Sequence, residues 1–193
     1  MRIEIREMGA ADIDGVARTR IEGWRHAYRG LMPQEFLDGM RPELFAARLR
    51  AGLPRAAADL LHLVAVERDA GVVGWSHSGP YRPDGTADEA EGTDAQGASG
   101  SSWGELHALY LRPPFIGHGI GRALMAASTR WLAERGHRGM RLWVLRDNAI
   151  GRRFYDRAGL VPDGAERSEL VGGTPVHEVR YARGLDAIGA ASA

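Results

Sequence analysis

The chain of 193 residues contains no cysteine. That removes disulfides, thiolate metal sites and a cysteine nucleophile together, and it suits a reducing compartment, so the expected location is the cytoplasm. Net charge is missing as well, with 25 basic residues against 25 acidic ones. Such a chain has no global basic field to draw it onto nucleic acid or an anionic membrane, and a small ligand is the expected partner. No apolar run approaches the roughly 20 residues that span a bilayer, and the start, Met1 to Arg6, does not read as a signal peptide. Nor do the histidines show metal-ligand spacing: His118, His137 and His177 are scattered, and no metal is implied. Nothing separates two cores, so residues 1–183 read as one domain, followed by a small-residue tail over 184–193.

What is present is a periodic series of elements. Arg2 to Glu7 alternates as a strand; Ile13, Val16, Ala17, Ile21, Trp24 and Tyr28 recur at helical spacing, and Gly30 and Pro33 end that helix. A second helix is expected over roughly Pro42 to Ala51. Leu60 to Glu67 and Gly71 to Ser78 read as a hairpin turning at Arg68 to Gly71. Residues 82–102, rich in Gly, Ser, Ala, Asp and Glu, offer almost nothing to bury and read as a flexible insertion without chemistry. Strand character resumes over Trp103 to Leu111. A helix carrying Ile120, Leu124, Ala127, Trp131 and Leu132 follows, then a strand over Met140 to Leu145 that is apolar on both faces but for Arg141. A short helix from Asn148 to Ala158 and a last hairpin around Val171 to Thr174 complete the order β-α-α-β-β-β-α-β-α-β-β. The order predicts a mixed sheet with helices on both faces.

The most specific stretch is Gly117-His118-Gly119-Ile120-Gly121-Arg122, lying between a strand and a helix. Backbone N–H groups and the positive end of a helix dipole converge in such a turn, which is how main chain binds phosphate. It is not a dinucleotide fingerprint: the spacing is Gly-x-Gly-x-Gly, it follows the fourth strand, and no matching ribose carboxylate lies downstream.

Three pieces in order, Glu105 to Pro113, Gly117 to Gly121 with its helix, and Asn148 to Leu160 with its Phe154-Tyr155 pair, resemble the GNAT superfamily of acyl-CoA-dependent N-acetyltransferases. Trp24 to Pro33 is similar to the first helical hairpin of a bacterial branch of that superfamily. The resemblance implies a mostly antiparallel sheet whose fourth and fifth strands splay apart to take the pantetheine arm of acetyl-CoA. It implies cofactor contacts from Leu109, Tyr110, Leu111, Gly117, His118, Gly119, Ile120, Gly121, Arg122 and Asn148. Asn148 has two readings, helix cap or pantetheine contact. The family commonly opens its loop with Arg or Gln where this chain has Ile116, so binding should rest on backbone.

The resemblance further implies direct transfer to a primary amine of a small molecule or peptide, with Tyr155 protonating the leaving thiolate. A neutral phenol suits that step. Glu105 and His107 lie two apart on one strand and share a face, so either could take the ammonium proton; Glu105 ranks first. Trp24, Tyr28, Trp75 and His107 are the candidate acceptor contacts. A catalytically idle acyl-CoA sensor is the alternative, and a homodimer is open.

Overall fold

A computed structural model describes residues 1–52, 59–82 and 103–185. Seven strands form one sheet in the order β1-β2-β3-β4-β5-β7-β6. The strands are β1 (Ile3–Glu7), β2 (Leu61–Glu67), β3 (Gly71–Pro80), β4 (Trp103–Leu111), β5 (Gly139–Leu145), β6 (Val161–Val171) and β7 (Thr174–Gly184). All neighbours are antiparallel except β4 and β5. The helices are α1 (Ile13–Ala27), α2 (Gln34–Gly39), α3 (Pro42–Gly52), α4 (Ile120–Glu134) and α5 (Ala149–Arg157).

Two apolar layers sandwich the sheet, as its half-buried strands require. On one face Ile13, Val16 and Ala17 of α1 and Phe45 and Leu49 of α3 pack on Val64, Val72, Trp75 and Ala108. On the other, Ile120, Leu124 and Leu132 of α4, with Phe154 and Tyr155 of α5, cover Leu63, Val73, Leu106 and Leu142. Gly23 lets α1 approach β4 closely: a Cβ there would lie 3.0 Å from Tyr110 Cβ and 3.2 Å from the Leu111 carbonyl oxygen.

The structure adds three features to the expected order. The helix α2 is additional; it seats Leu37 in a third cluster with Trp24, Met32, Leu145 and Val176. The last hairpin inserts β7, not β6, beside β5. Strand β7 runs to Gly184, and Leu185 is buried with its N–H donating to the Arg138 carbonyl at 2.8 Å, so the ordered chain passes the expected boundary at 183. Of the expected flexible insertion, Arg82 is described and packs against β4; the rest of it, and the tail from 186, lie outside the described residues. Among the described residues no helix is long and apolar enough to cross a membrane.

Candidate active site

The loop after β4 is shaped by glycine conformation. Gly117 and Gly119 sit at φ 87° and 81°, where side chains are strained, and Gly119 is the N-cap of α4. A Cβ at Gly117 would meet nothing within 4 Å, so glycine serves the backbone there and the space over the loop is open. The first bond returning to the cap is Ala123 N–H to Gly119 O at 3.1 Å. The N–H groups of the first turn, Ile120, Gly121 and Arg122 among them, therefore have no acceptor one turn back. With the dipole behind them they form an anion cradle. Arg122 is exposed, and its Nη2 folds back to within 3.5 Å of where a Gly119 Cβ would be; His118 is exposed, whereas Ile120 is buried in the core and offers only backbone. Ile116 is 43% exposed at the mouth of the adjoining cleft.

That cleft follows from the pairing of β4 with β5. Only Trp103↔Gly139, Gly104↔Met140 and Glu105↔Arg141 are in register. Beyond them β4 stays with β3 while β5 stays with β7, so the two strands part. A cavity of about 190 Å³ fills the gap, lined by residues 106–111 on one side and by Trp143, Asn148, Phe154 and Tyr155 on the other. Asn148 caps α5, its Oδ1 accepting from Gly151 N–H at 2.9 Å, and also lines this wall. Burial, with a smaller contribution from Tyr28, pushes the Tyr155 phenol well above its ordinary value, so it stays protonated across the physiological range.

A β-bulge re-aims β4 at this point. Gly79↔Glu105, Ser78↔Leu106 and His77↔Ala108 are in register, which leaves His107 as the extra residue. Strict alternation would put 105, 107, 109 and 111 on one face. The bulge shifts the later residues instead. Leu106, Leu109 and Leu111 join the α4 layer, while Ala108 and Tyr110 join the α1 layer. Glu105, His107 and Tyr110 then line a second cavity of about 70 Å³, and Tyr28, His107, Tyr110 and Trp143 are walls of both cavities.

Glu105 is 2% exposed and held by Arg82 twice: the backbone N–H of Arg82 donates to Oε2 at 3.0 Å and its Nη2 to Oε1 at 2.9 Å. Burial would raise this carboxyl; His107 and Arg82 nearby and the Arg82 hydrogen bonds more than offset it, leaving it below its ordinary value. Burial depresses His107 to about 4 although Glu105 acts in the opposite direction. His107 is therefore neutral at pH 7, and Arg82 is the working counter-ion of Glu105. The proton of His107 sits on Nε2, because its partner at 3.2 Å is the Pro80 carbonyl, which can only accept.

The expected acceptor residues divide. Trp24 and Tyr28, edge to face at 4.9 Å, both line the second cavity, as does His107. Trp75 does not: it is fully buried under α1 and α3 against Phe45, donates Nε1–H to His62 Nδ1 at 3.3 Å, and stacks near Tyr110. Behind His107 the rings of His77 and His62 continue the row, at 4.7 Å and 4.1 Å between successive centroids. They stack and do not converge, and among the described residues no His, Cys, Asp or Glu group of three could hold a metal. Arg82, Trp143 and the Arg167, Glu169 and Glu178 cluster line the second cavity without having been picked from the sequence. The strand pattern of β6 and β7 could have flagged the cluster, because all three are charged residues only partly exposed in a hairpin.

Comparisons with known proteins agree with this geometry. The sequence profile of the Acetyltransferase (GNAT) family matches residues 21–160. An uncharacterised N-acetyltransferase of Bacillus subtilis is 27% identical over 146 residues, 76% of this chain and 73% of that protein. A spermidine N(1)-acetyltransferase of Thermoplasma acidophilum is 24% identical over 89% of this chain and 96% of its own length. Among solved structures, the PaiA N-acetyltransferase of Thermoplasma acidophilum in complex with coenzyme A superposes with a TM-score of 0.65 at 21% identity, covering 95% of this chain and 99% of that one. With a profile match over most of its length and the splayed β4 and β5 beside a glycine-capped α4, the chain belongs to the GNAT family of acetyltransferases.

Proposed function

We propose that the protein transfers an acetyl group from acetyl-CoA directly to a primary amine of a small molecule or peptide, in the cytoplasm. One observation carries the reading: the cleft between β4 and β5 shares the walls Tyr28, His107, Tyr110 and Trp143 with a second cavity that is lined by a buried carboxylate. In this reading the pyrophosphate lies on the N–H groups of residues 117–122 and the pantetheine arm along Leu109, Tyr110 and Leu111, with Asn148 opposite. Glu105, directly or through water, takes the ammonium proton. The amine nitrogen attacks the thioester carbonyl, the carbon–sulfur bond breaks, Tyr155 gives its proton to the departing thiolate, and the second proton shed by the nitrogen as it becomes an amide restores the phenol. With no cysteine in the chain, a cysteine-bound acyl intermediate is excluded.

In this reading the acceptor occupies the second cavity, against Trp24 and Tyr28. Its walls carry Glu105, Glu169 and Glu178 against Arg82 and Arg167, an excess of carboxylate that suits a cationic amine. Thiol release from acetyl-CoA with a panel led by spermidine, and including lysine, aminoglycosides and peptide N-termini, tests the reading. Turnover on at least one amine is expected; tight acetyl-CoA binding without turnover on any would leave the idle sensor.

A further inference from the structure

We propose that Arg82 is a positioning residue for the proton acceptor, fixing the Glu105 carboxylate in its ionised form and in one orientation at the apex of the cleft. This rests on the reading of Glu105 as the group that takes the amine proton. The geometry is that of a two-point clamp. Arg82 is the second residue after β3, and its backbone N–H and its Nη2 reach the two different oxygens of a side chain that is 3% exposed. A carboxylate offers about four lone-pair sites. The clamp uses two of them and leaves acceptor capacity for an amine or a water.

Among the described residues, the other charged and titratable groups around Glu105 are committed elsewhere. His107, 3.9 Å from Oε2, keeps its proton for the Pro80 carbonyl, and His77 lies behind it, edge to face. Arg141, the register partner on β5, lies over the Trp103 ring and faces Asp163. Across the cavity Arg167 of β6 sits between Glu169 and Glu178, and Tyr28, the residue that caps the C-terminus of α1, presents its phenol. Among the described residues, and with His107 neutral at pH 7, the desolvation of Glu105 is thus met by the guanidinium and the backbone N–H of Arg82. Without the guanidinium the buried carboxyl would take up a proton and lose its capacity as a base.

The test reads Glu105 directly. Protein labelled with carboxyl-13C glutamate is titrated by NMR, the Glu105 signal being identified as the one missing in Glu105→Gln. In Arg82→Gln that signal should titrate about 1–3 pH units higher than in the native protein, and Arg82→Lys, which retains a charge, should fall between them. Unmoved titration in Arg82→Gln, or in Arg82→Lys should the former not fold, overturns the proposal. On the best acceptor of the amine panel, the acid limb of kcat/KM should move up by the same interval. Adding Arg82→Gln to Glu105→Gln should cost nothing more. Additive losses would mean that Arg82 acts on the substrate and not through Glu105. If no amine is acetylated, the transfer reading fails, while the NMR titration still decides the role of Arg82.

Discussion

Glu105 and Arg141 are the last partners on β4 and β5. One residue further, the strands separate and the cleft begins, so the buried carboxylate stands at the apex of the opening. The bulge at His107 follows at once and turns Tyr110 toward α1 while Leu109 and Leu111 stay with α4. Strand separation and bulge together give one strand two duties: residues 106–111 line the cleft, and Glu105, His107 and Tyr110 line the second cavity.

Tyr155 faces that cleft from α5. Tyr155→Phe should lower kcat by about 10²-fold or more, the scale of general acid catalysis, with the KM for acetyl-CoA changed little. The raised phenol adds a pH prediction. The acid form is the active one, so any loss from Tyr155 comes as pH rises through its pKa. No alkaline limb should appear below about pH 10. A native-like kcat in the variant would remove Tyr155 from the mechanism.

Gly119→Ala tests the cradle. Alanine at φ 81° carries about 1–2 kcal/mol of backbone strain, which the loop relieves by turning its N–H groups away. Acetyl-CoA affinity, followed by titration calorimetry, should fall about tenfold. Unchanged affinity would show that the pyrophosphate is held elsewhere.

The cradle and the sheet were legible because their signals are local. Glycine spacing after an apolar strand, and periods of two and 3.6, mark Trp103–Leu111, Ile120–Glu134 and Gly139–Leu145 to within a residue or so. Helix α2 escaped because it is six residues long and offers only Phe36 and Leu37 as apolar signal. Trp75 misled because an aromatic on a strand reads alike whether a cavity or a helix covers it. Arg82 was set aside with its polar neighbours, and only folding brings it to Glu105, 23 residues on. The bulge left no trace in the pattern, since Glu105 and His107 share a face with it or without it.

Gly23→Ala probes the seating of α1. The new methyl would stand 3.0 Å from Tyr110 Cβ and 3.2 Å from the Leu111 carbonyl oxygen, and the latter is backbone that cannot turn aside. Overpacking of about 1–3 kcal/mol should outweigh the helical gain of alanine. The thermal midpoint should drop by several degrees. Trp24 and Tyr28 travel with the helix, so the acceptor KM should rise more than that of acetyl-CoA. An unchanged midpoint would mean that α1 is not held this closely to β4.

The row His62, His77 and His107 should make stability depend on mildly acidic pH. Burial lowers all three, His62 and His107 to about 4. Each is neutral when folded and titrates near 6.5 when unfolded, so its contribution is complete above about pH 6.5 and is lost as pH falls toward 4. For His107 that interval corresponds to roughly 3 kcal/mol. His77 contributes in the same direction and carries a second cost, because neither of its ring nitrogens has a hydrogen-bond partner among the described residues. Phenylalanine keeps the stack on His62 and removes both polar atoms. His77→Phe should therefore be more stable at pH 7 by about 1–2 kcal/mol, and its denaturation midpoint should decline less steeply between pH 6.5 and 4. A loss of stability at pH 7 would count against this, since it would mean that the nitrogens of His77 are satisfied by buried water that phenylalanine cannot hold.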